Sequence, residues 1–282
     1  MAKNIPCAAP GLEKKAQIEE YLLKLYPGSA NSRIKLVTES KANEECFWKL
    51  QYLATSPQRN ITIYLSPDGQ SIAPELYDLR NNPLNIEAAT MLEITKGLTA
   101  TNAPSLGNPQ APVIIVEFVD FQCPYCKDLS NLLEKQIVAK QGDKVRLVFR
   151  NFPIPSHQWA KPAAQMAMCV AMQNTSEFWK IHDYLFEHQP DLTSSNIRSN
   201  VLAFVQERPA LNAARFETCV DTGLSTNAVV DDIALAQKYS IHVAPTFVLN
   251  GEQYYGEKSL DELNELISTA LRRRESRAIQ AK

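Results

Sequence analysis

Residues 112–126 read PVIIVEFVDFQCPYC, and their character changes abruptly at the end. From Val113 to Val119 the run is apolar except for Glu117, the pattern of a strand covered on both faces. Two cysteines then enclose a short turn, with Pro124 where a first helical residue stands. Leu129, Leu132, Leu133, Ile137 and Val138 follow at helical spacing up to Gly142, and KVRLVFRNF (144–152) returns to strand character. Strand, helix, strand is an α/β arrangement, and it puts Cys123 and Cys126 at the junction between a buried strand and a helix start.

That placement dictates a chemistry. The thiolate is the reactive form of cysteine, and at a helix N-terminus it meets unpaired backbone N–H groups and the positive end of the helix dipole. Cys123 is therefore expected to be acidic, exposed and nucleophilic. Cys126, one turn further in, is shielded and placed to attack a mixed disulfide formed at Cys123. Glu117, six residues before Cys123, is a candidate buried acid that relays the proton of Cys126; the alternative is a strand-end carboxylate that reaches water. Pro245, in VAPTF (243–247), interrupts an otherwise good strand. A cis Ala244–Pro245 bond beside the cysteines presents a backbone edge to an extended peptide. Pro124, Tyr125, Ala244 and Thr246 are the candidate substrate contacts, and Tyr125, between the cysteines, is expected to be at least partly exposed.

Working outward, LEKKAQIEEYLLKL (12–25) places Ile18, Tyr21, Leu22 and Leu25 on one helical face before Pro27 and Gly28 stop it. Three β-rich runs follow, RIKLVTES (33–40), FWKLQYLAT (47–55) and ITIYLSP (61–67), the last meeting a turn at Pro67, Asp68 and Gly69. Residues 1–97 thus form a small α+β domain. Residues 98–111, rich in Thr, Asn, Pro, Ser and Gly, read as a linker to a catalytic domain over 112–275. Residues 158–222 are helical throughout, an insertion whose core takes Trp159, Trp179, Met166 and Met168. A helix over 226–238, a strand at VAPTFVLN, a turn at Asn250 and Gly251, a short strand and a helix over 259–271 complete the pattern.

With 282 residues, 45 % of them apolar and 21 % charged, the chain has the composition of an ordinary globular protein. A formal charge of −2 and a single basic cluster, Arg272 to Arg274 behind a predicted helix, offer nothing to nucleic acid. The start MAKNIPCAAPG lacks the apolar core of a secretory signal, which leaves either a cytosolic protein or an exported one whose targeting segment is absent from this chain. Six cysteines, an even number, favour the exported one. Zinc requires a second close ligand pair, which the other cysteines do not provide, and His157, His182, His188 and His242 form no metal spacing; no metal and no cofactor are expected. His157 is read as a cap or packing residue at the strand end.

The stretches PSLGNPQAPVIIVEFVDFQCPYC (104–126), VRLVFRNFPIPSHQWA (145–160), FWKIHDYLF (178–186) and VAPTFVLNG (243–251) together resemble the DsbA-like branch of the thioredoxin superfamily. The resemblance covers roughly residues 105–272. It implies a thioredoxin fold with an all-helical insertion, and thiol oxidation or disulfide exchange on reduced or misfolded exported polypeptides. It assigns Cys123 as attacking thiol, Cys126 as resolving thiol, Glu117 as buried acid and Pro245 as cis-proline. It also implies a periplasmic or otherwise extracytoplasmic setting and a membrane redox partner that reoxidises the pair. Cys169 in AMCVA and Cys219 in FETCV resemble the paired structural cysteines of some DsbA-like proteins, and Cys7 and Cys46 are a further candidate pair. Two positions depart from the family pattern: Pro-Tyr stands between the cysteines in place of Pro-His, and Ala244 where Val or Thr is more usual.

ITIYLSPDGQSIAPELYDL (61–79) is similar to the hairpin of the DsbC and DsbG dimerisation domain, which makes a homodimer through residues 1–97 a candidate. Disulfide oxidase is the leading functional reading. A dimeric isomerase, a cytosolic glutaredoxin-like reductant and a non-enzymatic dimerising chaperone module stand beside it. A glutathione transferase relative normally carries serine where Cys123 stands.

Overall fold

The computed structural model describes residues 8–26, 33–42, 46–55, 58–76, 83–100 and 103–280, and the chain divides into two units, 1–83 and 84–282. In the first, α1 (Leu12–Leu25) lies on a four-stranded antiparallel meander of β1 (Ile34–Lys41), β2 (Trp48–Thr55), β3 (Gln58–Leu65) and β4 (Ile72–Ala73). Alternation decides the covered face: Leu50, Tyr52 and Ala54 of β2 and Ile61, Ile63 and Leu65 of β3 are buried with Ile18 and Leu22 of the helix. Tyr21 and Leu25, expected on the same helical face, are instead exposed. The sheet is narrow enough that one helical stripe covers it.

The second unit opens with α2 (Pro83–Thr99), a helix not among those expected from the sequence, although Pro83 and then Leu84, Ala88, Met91, Ile94 and Leu98 follow helical spacing; Ile94 and Leu98 pack into the core. Leu98 is buried with Val116, Phe118 and Val148, and its carbonyl accepts from Arg150 Nε at 3.2 Å. The division at 83/84 therefore lies upstream of the expected linker. Within that linker β5 (Ser105–Gly107) adds an edge strand, pairing antiparallel with Val148–Arg146. Gly107 has φ +84°, and a Cβ there would stand 2.2 Å from the Val145 carbonyl oxygen, so this strand requires glycine.

The sheet runs β5-β7-β6-β8-β9, with β6 (Val113–Val119) central and parallel to β7 (Val145–Asn151). The strands β8 (Thr246–Leu249) and β9 (Glu252–Tyr255) extend it antiparallel on the other side. The β6–β7 crossover holds α3 (Pro124–Asn131), a π-helical stretch (Leu132–Val138) and the short α4 (Ala139–Gln141). Apolar spacing alone does not distinguish that wider winding from an ordinary helix. The insertion is α5 (Ala160–Ala171), α6 (Thr175–Glu187), α7 (Ile197–Gln206) and α8 (Ala213–Thr222), followed by α9 (Thr226–Lys238). Trp159, Met166 and Trp179 are buried there as expected, with Met168 packed against the same core. Cys169 of α5 and Cys219 of α8 form a disulfide with Cα atoms 5.9 Å apart, the pairing that the resemblance implied. Of the other candidate pair, Cys7 lies outside the described residues.

A buried ion pair, Arg150 Nη1 to Asp232 Oδ1 at 2.9 Å, ties β7 to α9. The last helix, α10 (Leu260–Gln280), starts at a capping box in which Ser259 and Glu262 satisfy each other's backbone N–H groups. It runs past the expected end, so Arg272 and Arg273 lie inside it, paired with Glu265 and Glu252.

Candidate active site at the β6–α3 junction

Cys123 is the N-cap residue of α3, with extended backbone (φ −83°, ψ 120°), and Pro124 takes the first helical position, where a missing N–H costs nothing. The Cys123 carbonyl accepts from Cys126 N at 3.1 Å and Lys127 N at 3.3 Å, which closes the turn. Both cysteines are free thiols. The Cys123 thiol is pulled down to about 6, chiefly by the hydrogen bond that the Cys126 thiol donates to it; burial opposes, and the N–H groups of Cys126 and Tyr125 assist. Cys126, fully buried and holding that bond as donor, has its own pKa pushed far up, with burial the leading cause. One thiol is thus a ready nucleophile at neutral pH and the other a protonated reserve. The helix start contributes as expected, but the partner thiol contributes more.

The expectation of an exposed Cys123 does not hold: the residue is only 4 % exposed. Its Sγ lies 4.0 Å from the Ala244 carbonyl, at the start of the loop where the Ala244–Pro245 bond is cis. From the insertion, Gln189 Nε2 donates to the carbonyls of Phe121 (2.7 Å) and Cys123 (3.1 Å), and Gln122 Oε1 accepts from Trp159 N at 2.9 Å. The exposed groups around the sulfur are Pro124, Tyr125 and Val243, with Ala244 half-buried. Tyr125 is 59 % and Val243 51 % exposed, an apolar rim around a recessed thiol. Thr246 departs from its expected role: it is fully buried and its hydroxyl donates back to the Val243 carbonyl at 2.7 Å, leaving no side chain for a substrate.

Glu117, on β6, is fully buried beneath α3, where Ser130 Oγ donates to its Oε2 at 2.8 Å while Oε1 has no protein partner. Burial pushes its pKa up to about 7. Because the folded value lies above that of the unfolded chain, the native state binds the extra proton between about pH 4.5 and 7, and stability falls as pH rises through that window. Glu117→Gln, which keeps the acceptor for Ser130 and removes the charge, is expected to stabilise the protein by about 3 kcal/mol at pH 8 and by nothing below pH 4.5. Denaturant melts at the two pH values measure this; an equal effect at both would show that Glu117 does not ionise in the window.

Three residues that the sequence reading left unassigned belong to this site: Asp120, Gln122 and Gln189. A fourth, His157, was read as a strand-end cap and turns out to bond the Asp120 carboxylate, Nδ1 to Oδ2 at 3.0 Å. Asp120 was the most findable, a charge at the end of an apolar strand three residues before Cys123; the glutamines carry no such signal. Among the described residues, the metal-ligating side chains whose donor atoms lie within 4.8 Å of one another are Glu134, His182 and Asp183. Lys135 Nζ, 3.4 Å from Asp183 Oδ2, already supplies a cation to that group, and burial together with a hydrogen bond to Asp183 pushes the Glu134 carboxyl up to about 8.

A sodium/proton antiporter of Salinispora tropica is 30 % identical over 165 residues, which are 58 % of this chain and 24 % of that protein. The chain thus spans about a quarter of the length of the antiporters it matches first, and no described helix is long and apolar enough to cross a membrane. Disulfide bond formation protein D of Bacillus subtilis is 29 % identical over 174 residues, 60 % of this chain and 77 % of that protein. The crystal structure of oxidised BdbD from Bacillus subtilis superposes with a TM-score of 0.52 at 28 % identity, over 60 % of this chain and 93 % of that one. A family model described as thioredoxin matches residues 99–269. Since that match takes in the whole sheet, the thiol pair and the proline loop, and covers more than half of the sequence, this chain belongs to the thioredoxin family, with the helical insertion of its DsbA-like members.

Proposed function

We propose that the chain is a thiol-disulfide oxidoreductase that donates a Cys123–Cys126 disulfide to reduced exported polypeptides. The observation that supports this most is the split between the two thiols, one acidic at about 6 and the other held protonated. In the oxidised enzyme a client thiol gives up its proton to solvent, its thiolate attacks Cys123 Sγ, the bond to Cys126 breaks, and the Cys126 thiolate that leaves takes up a proton from solvent. A second client thiolate then attacks the client sulfur of the mixed disulfide, and Cys123 departs as a thiolate. The client loses two electrons and the pair gains them, so the enzyme ends as a dithiol. A thiolate that is stable near neutral pH is a good leaving group, which favours giving the disulfide away.

The cis-proline loop and the rim of Tyr125 and Val243 suit an extended, partly apolar client segment. The proposal includes an oxidising, extracytoplasmic compartment and a membrane redox partner that takes the two electrons from the dithiol. The separately cored first unit is assigned to self-association or partner docking, and a homodimer through it belongs to the same proposal. The test offers the full chain a fully reduced polypeptide and, separately, one with scrambled disulfides. Rapid oxidation of the first with little rescue of the second is expected; efficient unscrambling by a dimer kept as dithiol makes the protein an isomerase, and inactivity on both leaves a non-enzymatic module.

A further inference from the structure

Asp120 directly follows β6 and begins the turn that carries the thiols, and its backbone touches both of them. Its carbonyl accepts from Cys123 N at 3.1 Å and its N–H donates to Cys126 Sγ at 3.4 Å. Its side chain, wholly inaccessible to solvent, is gripped from two directions. Gln122 N donates to Oδ1 at 2.7 Å, while Ile154 N (2.6 Å) and His157 Nδ1 (3.0 Å) share Oδ2. His157, from the segment after β7, keeps about a quarter of its side chain in solvent. The titratable groups facing the carboxylate are thus His157 and the two thiols.

Three donors oriented on one carboxylate describe a group built to hold negative charge in a buried place. Placed beside a pair whose chemistry depends on forming a thiolate, that charge has a definite sign of effect. We propose that Asp120 is a positioning residue for the thiol pair, whose backbone fixes both cysteines and whose buried carboxylate opposes negative charge on their sulfurs, so that it sets how oxidising the pair is. This rests on the exchange chemistry proposed above. The Asp120 charge raises the pKa of Cys123 and of Cys126 alike, against the helix start and the Cys126 hydrogen bond that lower Cys123. Burial raises the Asp120 pKa too, while the three donors work to keep it ionised. The acidity of Cys123 is then a balance of opposed influences, and Asp120 is the restraining one.

Asp120→Asn removes the charge while keeping the size and one acceptor oxygen. It is expected to increase the acid dissociation constant of Cys123 about tenfold, read from thiolate absorbance against pH. It should also shift the equilibrium of the pair with glutathione about tenfold toward the dithiol, about 30 mV more oxidising. Asp120→Glu should return both values toward those of the unaltered protein. A purely structural role predicts no change or a less acidic Cys123, and either result overturns the inference. Should Asp120→Asn not fold, the unaltered protein still decides: by linkage, the carbon NMR signal of the Asp120 carboxyl in the reduced form must show a titration step at the Cys123 midpoint that the disulfide form lacks, and identical curves in the two forms refute the proposal. None of these readouts requires a client. The expected shifts in a protein that oxidises no polypeptide would sink the exchange reading and leave Asp120 its role, whereas brisk oxidation with no shift would do the reverse.

Discussion

Cys123→Ser is expected to take oxidation of a reduced polypeptide down to the uncatalysed background, a loss on the order of 10³-fold or more, the scale on which deletion of a covalent nucleophile acts. The reason is the amount of thiolate available. At pH 7 a thiol with pKa about 6 is roughly nine-tenths ionised, against about 3 % for an ordinary cysteine near 8.5, and a serine hydroxyl is not ionised at all. Cys126→Ser should behave differently. Without a disulfide of its own it cannot oxidise a reduced polypeptide, but its hydroxyl still donates to Cys123, whose thiolate attacks a client that already carries a disulfide; one client thiol leaves, nothing in the enzyme resolves the product, and the mixed disulfide accumulates one to one with enzyme. Cys126→Ala removes the donor as well and should make Cys123 less acidic, since that hydrogen bond is the leading cause of its low pKa. Iodoacetamide labelling against pH reads all three: the reduced protein should label at Cys123 with a midpoint near pH 6, and a midpoint near 8.5 would refute the electrostatic account.

Replacing Cys169 and Cys219 together by alanine is expected to cost about 4 kcal/mol of stability, the loop-closure entropy for a separation of 50 residues. For a unit of this size that corresponds to a fall in Tm of roughly 8–16 °C. Both cysteines are buried, with Cys169 wholly inaccessible, so mild reductant that opens the Cys123–Cys126 pair should leave this bridge intact. Calorimetry of the double variant, with exchange activity followed below its Tm, separates a structural disulfide from a catalytic one. A loss under about 1 kcal/mol would show that the reduced helices hold together without it, and reduced exchange in the still-folded protein would give the bridge a part in catalysis.

What was legible in the sequence was local chemistry. CPYC at a strand-to-helix junction, a proline inside an apolar strand and a long helical stretch between two halves of a sheet each announce themselves through residues that restrict the backbone or its reactivity. The disulfide was legible only through family resemblance, because nothing in AMCVA or FETCV specifies a partner 50 residues away. What was not legible depends on distance along the chain. Asp120 and His157 are ordinary polar residues until the fold brings them together across 37 positions. Ser, Gly and Asn between 98 and 111 suggest a linker, yet Ser105–Gly107 within it complete the sheet edge. Thr246 was expected at the surface because it follows the cis-proline, yet the β8 strand that begins there is buried on both faces.

Gln189 bears on how such proteins can diversify. Its amide, from the turn after α6, 66 residues beyond Cys123, holds the carbonyls of the turn that carries the thiols. The tetrapeptide and the insertion are therefore not independent parts. A recombination event that exchanged the insertion between relatives would bring a different hand to the back of the active turn and alter its reactivity without touching a cysteine. Conversely, CPYC transplanted into a bare scaffold would arrive without the grip that shapes it. A change in the insertion and a change in the turn are therefore coupled in this chain by one side chain.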